Sequence, residues 1–573
     1  MTRIFNEPAD FADEATAGFV LSHGRWVTQV DGGVVRTRPG RLGAPVLIVG
    51  GGSGHYPAFG GLVGPGLADG AALGNIFASP ATQQIVDVTL AAEAGAGVLL
   101  GFGNYAGDVI NFGLAAEALR EQGVDARVLA VTDDIASAPI GSESARRGLA
   151  GDIAVFKIAG GAVARGSDLD DVERVAQAAN ARTRTLGVAF GGCTLPGAAR
   201  PLFGVTEGRM AIGLGIHGEP GIDEVEMPSS AQLAVLLVES LLADVPAGVA
   251  RDGARVVALL NGLGAVKYEE LFVLYADIAR GLEDAGITVA EVRVGELVTS
   301  LDMAGASLTL LWLDSELEDL WFEDCDTASF SMRGRPAPSA RRVGRAASEA
   351  PRDAIPTSAR PESERVAELL ERCAEVIDEN AAALGDLDAI AGDGDHGIGM
   401  LRGCRAAAAT GRQRAGAGAS PGAVLDAAGR AWAAKAGGTS GAIWGAVLTA
   451  LATAFDDTER PSPGDWAGAV TRAVDAVAAF GAAPGDKTML DAAIPFGQAF
   501  RMRIDAGASF AEAWRAAAAV ATRAADATAD LTPRTGRAKL HALRSAGSPD
   551  AGAISFALLC RTVDEELSEG EAS

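Results

Sequence analysis

The stretch Leu387-Asp388-Ala389-Ile390-Ala391-Gly392-Asp393-Gly394-Asp395-His396-Gly397 sets three carboxylates on a short, glycine-punctuated turn. The residues before it read as a helix, because Val366, Leu369, Leu370, Cys373, Val376 and Ile377 fall on one helical face. Three clustered anions repel one another unless a cation sits between them, and hard carboxylate oxygens suit Mg²⁺ or Ca²⁺. Magnesium held by carboxylates usually shares its shell with nucleotide phosphates, so the loop points to phosphoryl transfer. A lone Asp-Gly-Asp is more often a solvated surface turn. An EF-hand is excluded because no Glu closes a twelve-residue loop. A second segment decides between the remaining readings. Ala436-Gly437-Gly438-Thr439-Ser440-Gly441 opens an apolar helix marked by Ile443, Val447, Leu448 and Leu451. Free N–H groups at a glycine-rich helix start bind anions. Metal carboxylates and a phosphate-cradling helix end together are what an ATP site requires. The spacing is not a Walker A pattern; Gly485-Asp486-Lys487-Thr488 lacks the upstream glycine and the preceding strand.

Working outward, the pattern is helical from about residue 361 to 573 and reads as a bundle of about eight helices. Residues 331–360 are Arg, Pro, Ser and Ala with almost no large apolar side chain, which reads as a linker. Residues 1–330 alternate apolar strands with helical stretches: Pro45–Val49, Gly97–Leu100, Arg127–Val131, Arg255–Leu260 and Leu308–Leu313. That alternation predicts an α/β region, and its length predicts two α/β lobes.

The chain of 573 residues is 48 % hydrophobic and 21 % charged, enough for large cores. Its net charge of −26 argues against nucleic-acid binding and against docking on an anionic membrane. A negatively charged substrate such as ATP must then be captured by local donors and metal. The five cysteines, Cys193, Cys325, Cys373, Cys404 and Cys560, are scattered without metal-ligand spacing and read as reduced core thiols of a cytoplasmic protein. The first residues do not resemble a signal peptide, and no apolar run reaches membrane-spanning length.

Three segments of the α/β part carry further chemistry. Val49-Gly50-Gly51-Gly52-Ser53-Gly54-His55-Tyr56-Pro57 is read as a turn right after a strand, where glycines let a ligand approach backbone N–H groups. The Rossmann spacing fails, and a plain strand-to-helix turn is an equal alternative. Asn104-Tyr105-Ala106-Gly107-Asp108 stands at the end of another strand, where open α/β sheets place their sites; Asp108 could equally be a helix N-cap. Ile212-Gly213-Leu214-Gly215-Ile216-His217-Gly218-Glu219-Pro220-Gly221 presents an imidazole among glycines, expected to be exposed and without bulky cover. A neutral imidazole is a competent nucleophile toward a carbonyl.

These residues resemble the single-chain, ATP-dependent dihydroxyacetone kinases over nearly the whole chain. The matching runs, in order, are Gly-Gly-Gly-Ser-Gly-His (50–55), Phe-Ala-Ser-Pro (77–80), Asn-Tyr-Ala-Gly-Asp (104–108), Asn-Phe-Gly-Leu-Ala-Ala-Glu (111–117), Lys-Ile-Ala-Gly (157–160), Gly-Leu-Gly-Ile-His-Gly-Glu-Pro-Gly (213–221), Gly-Asp-Gly-Asp (392–395), Gly-Gly-Thr-Ser-Gly (437–441), Gly-Asp-Lys-Thr-Met-Leu-Asp (485–491) and Asp-Ala-Gly-Ala (550–553). The resemblance implies a ketose-binding K domain followed by an ATP-binding L domain built as an eight-helix barrel, and a cytoplasmic homodimer in which each L domain serves a K domain. It implies that His217 holds the substrate ketone as a covalent hemiaminal and that His55 and Asp108 assist proton transfer. Gly51, Gly52, Ser53, Gly54 and Ser79 match substrate-binding positions. Asp388, Asp393 and Asp395 match the ligands of two Mg²⁺ on the ATP phosphates, and His396, Gly397, Gly438, Thr439, Ser440, Thr488, Met489, Asp550 and Gly552 match nucleotide-binding positions.

The chain departs from that family at identifiable points. Tyr56 stands where an acid is common, Gly103 where Lys is common, and Gly536-Arg537-Ala538-Lys539-Leu540 replaces a usual Gly-Arg-Ala-Ser-Tyr. The first two are expected beside the substrate pocket, and Lys→Gly removes a charge and opens volume. A slightly larger ketose, with four-carbon erythrulose leading, is therefore expected ahead of dihydroxyacetone. His396 also occurs in versions that keep ADP bound and are rephosphorylated by a partner protein; both domains on one chain favour free ATP. Three rivals follow from the same resemblance. A sugar sensor that binds without turnover would not need the metal aspartates. A lyase cleaving FAD to a cyclic phosphate would use the same metal site. A lipid-type acyl kinase would lack the domain that carries His217.

Overall fold

Two six-stranded sheets organise the first half of the molecule. In the computed structural model, residues 4–335, 360–436, 438–455, 460–534 and 544–572 are described. The chain divides into two units, Met1–Arg341 and Arg342–Ser573. Most of the 331–360 linker and the 536–540 run lie outside the described residues.

The first sheet contains β1 (Val27–Val30), β2 (Gly33–Arg36), β3 (Val46–Ser53), β4 (Gly70–Ile76), β5 (Val98–Gly103) and β6 (Ala126–Val131), in the order β1-β2-β4-β3-β5-β6. Strands β3 to β6 run parallel, with β1 and β2 added antiparallel at one edge. Parallel strands must be buried on both faces, and the sequence of β3 does this by alternation. Val46 and Ile48 pack with α2 (Thr82–Ala92) and α3 (Ala106–Glu121). Leu47 and Val49 face α4 (Gly151–Arg165) and α5 (Leu169–Ala181).

The second sheet contains β7 (Thr183–Ala189), β8 (Arg209–Ile212), β9 (Asp223–Glu226), β10 (Arg255–Gly262), β11 (Thr288–Gly295) and β12 (Gly305–Leu313). Its order is β11-β10-β12-β7-β8-β9, antiparallel except for the β10–β11 pair. Its outer face is covered by α6 (Ser230–Ala243) and α7 (Tyr268–Asp284); α1 (Phe11–His23) precedes the first sheet and α8 (Ser315–Trp321) follows β12. Helix α4 packs against strands of both sheets, so the two α/β lobes share one core.

The second unit is all-helical over its described residues. It comprises α9 (Arg360–Asp388), α10 (His396–Gly416), α11 (Pro421–Ala436), α12 (Gly438–Ala452), α13 (Pro463–Ala478), α14 (Leu490–Asp505), α15 (Phe510–Ala527) and α16 (Ala551–Ala572). Each helix packs on the next, and α16 returns to α9, so the eight close into a barrel. Alanine and glycine permit the close approach. A Cβ on Gly397 would stand 1.9 Å from the carbonyl oxygen of Ala381, so α10 can lie against α9 only with glycine there.

Two local readings need correction. Gly50, Gly51 and Gly52 are not in a turn after the strand; they lie within it, ahead of its last residue Ser53, and pair with β4. The reason is close approach: a Cβ on Gly51 would stand 2.3 Å from the Phe59 ring, and one on Gly52 2.8 Å from the backbone nitrogen of Ala78. Likewise Leu387 and Asp388 still belong to α9, and the acidic turn begins after them. The β1–β2 hairpin turns at Asp31-Gly32, with Gly32 at φ +83°, as an Asp-Gly pair favours.

Candidate active site

His217 lies in the loop between β8 and β9, and His55 lies just beyond the end of β3. Their Nε2 atoms are 3.0 Å apart although 162 residues separate them. The partners of the other ring nitrogens settle the protons. His55 Nδ1–H donates to the Thr299 carbonyl at 2.7 Å, and His217 Nδ1–H donates to the Glu219 carboxylate at 3.0 Å. Two lone pairs repel at that separation, so the Nε2–Nε2 contact calls for a shared proton. Burial, then the charge at His217, lowers the His55 pKa to about 3. Burial acts to raise the Glu219 pKa, but the hydrogen bond and charge of His217 outweigh it and hold the carboxyl at about 2. Gly215 makes room for this carboxylate, because a Cβ there would lie 2.0 Å from Glu219 Oε2.

His217 is not the uncovered imidazole that its glycine neighbours suggest. Its side chain is 23 % exposed. The rings of Tyr105, His55 and Phe77 stand edge-on around it, with centroids at 4.7, 4.9 and 5.2 Å. The cover comes from strand ends distant in the chain, which local composition does not reveal.

These groups line a cavity of about 260 Å³ together with Gly51, Gly52, Ser79, Gly103, Asp108 and Asp152. Asp108 is in the first turn of α3 and does not cap it; its Oδ1 is buried with no partner among the described residues. Burial raises its pKa to about 6, partly opposed by Ser79 and by the charge at His217. Ser53 and Gly54 stand outside the lining: Ser53 Oγ donates to the Gly74 carbonyl at 2.6 Å, and Gly54 holds φ +99°. Tyr56 is also outside it, half-exposed and packed edge-on against Phe19, whereas Gly103 is in the wall.

In the helical unit, Asp388, Asp393 and Asp395 each offer a carboxylate oxygen within 4.8 Å of the others. Asp388 Oδ2 also accepts the Gly394 N–H at 2.9 Å, which turns the loop back over the helix end. This set of hard oxygens fits Mg²⁺. A cavity of about 490 Å³ adjoins it, lined by Asp388, Asp393, His396, Ser440, Thr488, Met489, Asp550 and Gly552 among others. Gly438 and Thr439 open α12; Gly397 is buried in the α9–α10 contact. His396 Nε2 pairs with Ser555 Oγ at 2.9 Å. Burial pushes the Asp550 carboxyl up to about 6, and Asp491 and Asp388 add to the push.

Sequence reading missed Glu219, Tyr105, Phe77, Thr299, Asp152 and Lys487. Glu219, two residues from His217 among glycines, carried a usable signal; the others become neighbours of the sites only on folding. Lys487 donates to the carbonyls of Ser545 (2.6 Å) and Leu531 (3.2 Å), which ties the wall of the second cavity together.

The chain matches the Dak1 domain over residues 17–329 and the DAK2 domain over residues 390–565. It is 52 % identical to the D-erythrulose kinase of Mycolicibacterium smegmatis, with 98 % of both chains covered. It is 51 % identical to the L-erythrulose kinase of Pectobacterium atrosepticum, covering 100 % of this chain and 98 % of that one. The dihydroxyacetone kinase of C. freundii, solved with AMP-PNP and Mg²⁺, superimposes with a TM-score of 0.57 at 27 % identity over 98 % of this chain and 99 % of that one. The chain thus belongs to the dihydroxyacetone kinase family, the phosphotransferases that carry a Dak1 and a DAK2 domain in one polypeptide.

Proposed function

We propose that the protein phosphorylates a short-chain ketose with ATP, four-carbon erythrulose ahead of dihydroxyacetone, and that the ketose is held as a hemiaminal on His217. The observation that carries this reading is the Glu219–His217–His55 relay inside a cavity small enough for a short sugar. The two erythrulose kinases at about half identity support the substrate class.

The chemistry follows from the hydrogen bonds. The proton on the Nε2–Nε2 contact passes to His55, which frees the His217 Nε2 lone pair to attack the ketone carbon. The carbonyl oxygen takes that proton back from His55 and becomes the hemiaminal hydroxyl. The adduct keeps one positive charge, on an imidazole whose Nδ1–H still faces the Glu219 carboxylate. Anchoring selects carbonyl compounds over glycerol and fixes a hydroxyl for transfer; such positioning is worth about 7–11 kcal/mol at best. Asp108 accepts the proton of the attacking hydroxyl. Asp388, Asp393 and Asp395 would hold Mg²⁺, which when bound neutralises charge on the transferring phosphoryl group. His396, Ser440, Thr488, Met489, Asp550 and Gly552 surround the nucleotide in this reading. The assembly is the homodimer that the family resemblance implies. No described helix is long and apolar enough to cross a membrane.

The test is a coupled ADP-release screen of purified protein with ATP and Mg²⁺ over dihydroxyacetone and both erythrulose enantiomers, with His217→Ala as control. Turnover of erythrulose ahead of dihydroxyacetone, lost in His217→Ala, is the expected result. Full activity in the alanine variant would remove the hemiaminal; activity restored by a phosphotransferase extract alone would remove ATP as donor.

A further inference from the structure

The second carboxyl of the sugar cavity, Asp152, has no part in the chemistry above. It lies in the buried first turn of α4 and is 3 % exposed, and its Oδ1 is buried without a partner among the described residues. Leaving a buried carboxyl oxygen unpaired is costly, so such groups mark places where a ligand completes the bonding. The carboxyl lies at a gap between two glycines. A Cβ on Gly103 would stand 3.3 Å from Oδ2, and a Cβ on Gly148 would stand 2.9 Å from Oδ1 and 2.5 Å from the Gly103 Cα. Any side chain at either position would press on the carboxyl; with glycine at both, it faces the cavity that holds His217 and Asp108.

The chemistry of the gap identifies its ligand. Burial, with the neighbouring charges of Asp133 and Asp108, raises the Asp152 pKa. An unpaired carboxyl oxygen accepts a hydroxyl hydrogen, which matches an alcohol. Among the described residues lining the cavity none is Lys or Arg, so nothing there suits a phosphorylated sugar.

We propose that Asp152 is the specificity-determining residue of the cavity, hydrogen-bonding the additional hydroxyl that distinguishes a four-carbon ketose from dihydroxyacetone, in the room left by Gly103 and Gly148. This rests on the ketose-kinase reading and deepens it. A site built to bond a substrate hydroxyl rejects the analogue that lacks it, because its own polar group is then left unpaired.

The experiment compares kcat/KM for erythrulose and dihydroxyacetone in the full chain, in Asp152→Asn, Asp152→Ala and Gly103→Ala, with circular dichroism and melting curves for each. The erythrulose-to-dihydroxyacetone ratio is expected to fall by about tenfold to a hundredfold in Asp152→Ala, through KM for erythrulose. It falls less in Asp152→Asn, which retains a donor and an acceptor, and it falls in Gly103→Ala, where the new methyl fills the gap. Should Asp152→Ala fail to fold, the isosteric Asn variant and Gly103→Ala still report the ratio. An unchanged ratio in the folded variants, or an equal loss on both ketoses, overturns the assignment and leaves Asp152 a packing residue. Absence of turnover on any ketose by the unaltered protein overturns the ketose-kinase reading itself, and with it this inference.

Discussion

Replacing Glu219 with Gln tests the relay that the mechanism depends on. The carboxyl is held down from its ordinary 4.5 to about 2 by the His217 hydrogen bond and charge, against the effect of burial. A drop of about 2.5 at about 1.4 kcal/mol for each step of one gives a coupling of about 3 kcal/mol. In the hemiaminal the imidazole Nδ1–H still faces the Glu219 carboxylate, so the coupling persists up to phosphoryl transfer. Gln keeps an acceptor for Nδ1–H and retains about 1 kcal/mol of hydrogen bond. The remaining loss corresponds to a fall in kcat/KM of about thirtyfold to a hundredfold. The assay is ADP release on erythrulose at saturating Mg²⁺–ATP. A second readout follows from linkage. Because the folded carboxyl titrates below its unfolded value, its stabilising effect is present above about pH 4.5 and is lost as the pH falls toward about 2. The Gln variant lacks that acid-side loss. A Glu219→Gln protein with kcat/KM within about threefold of the unaltered enzyme would refute the relay.

Three further outcomes are expected. Asp108 must be ionised to accept a proton, and its pKa is pushed up to about 6, so kcat/KM should rise with pH through about 6; Asp108→Asn should erase that limb and lower kcat by about 10²- to 10⁴-fold. Asp388→Asn should raise the Mg²⁺ concentration for half-maximal activity by about tenfold to a hundredfold in a magnesium titration, and EDTA should abolish turnover of the unaltered protein. Gly397→Ala sets a methyl against the Ala381 carbonyl and should destabilise the helical unit by about 1–3 kcal/mol, read as an earlier melting transition.

Much of this molecule was written in local patterns. Apolar runs such as Arg255–Leu260 became buried strands because β10 is covered on both faces. The 3.6-residue spacing after residue 361 became helices, and Asp388 at the end of α9 and Asp393 and Asp395 in the turn after it bring their oxygens within 4.8 Å of one another. Glycine-rich runs marked both cavities, because backbone must approach closely there whatever surrounds it.

What folding alone decided are the long-range encounters. The 3.0 Å contact of His55 with His217 joins two lobes through strand ends that no short-range periodicity relates. The Phe77 and Tyr105 rings that shelter His217, the place of Tyr56 outside the cavity, and the burial of Asp152 beside Gly103 and Gly148 depend on which strands become neighbours. Composition and spacing report torsional preference and amphipathic pattern within a few turns of chain. Which distant groups share a dry pocket, and therefore which way their protons move, depends on the packing of the whole unit.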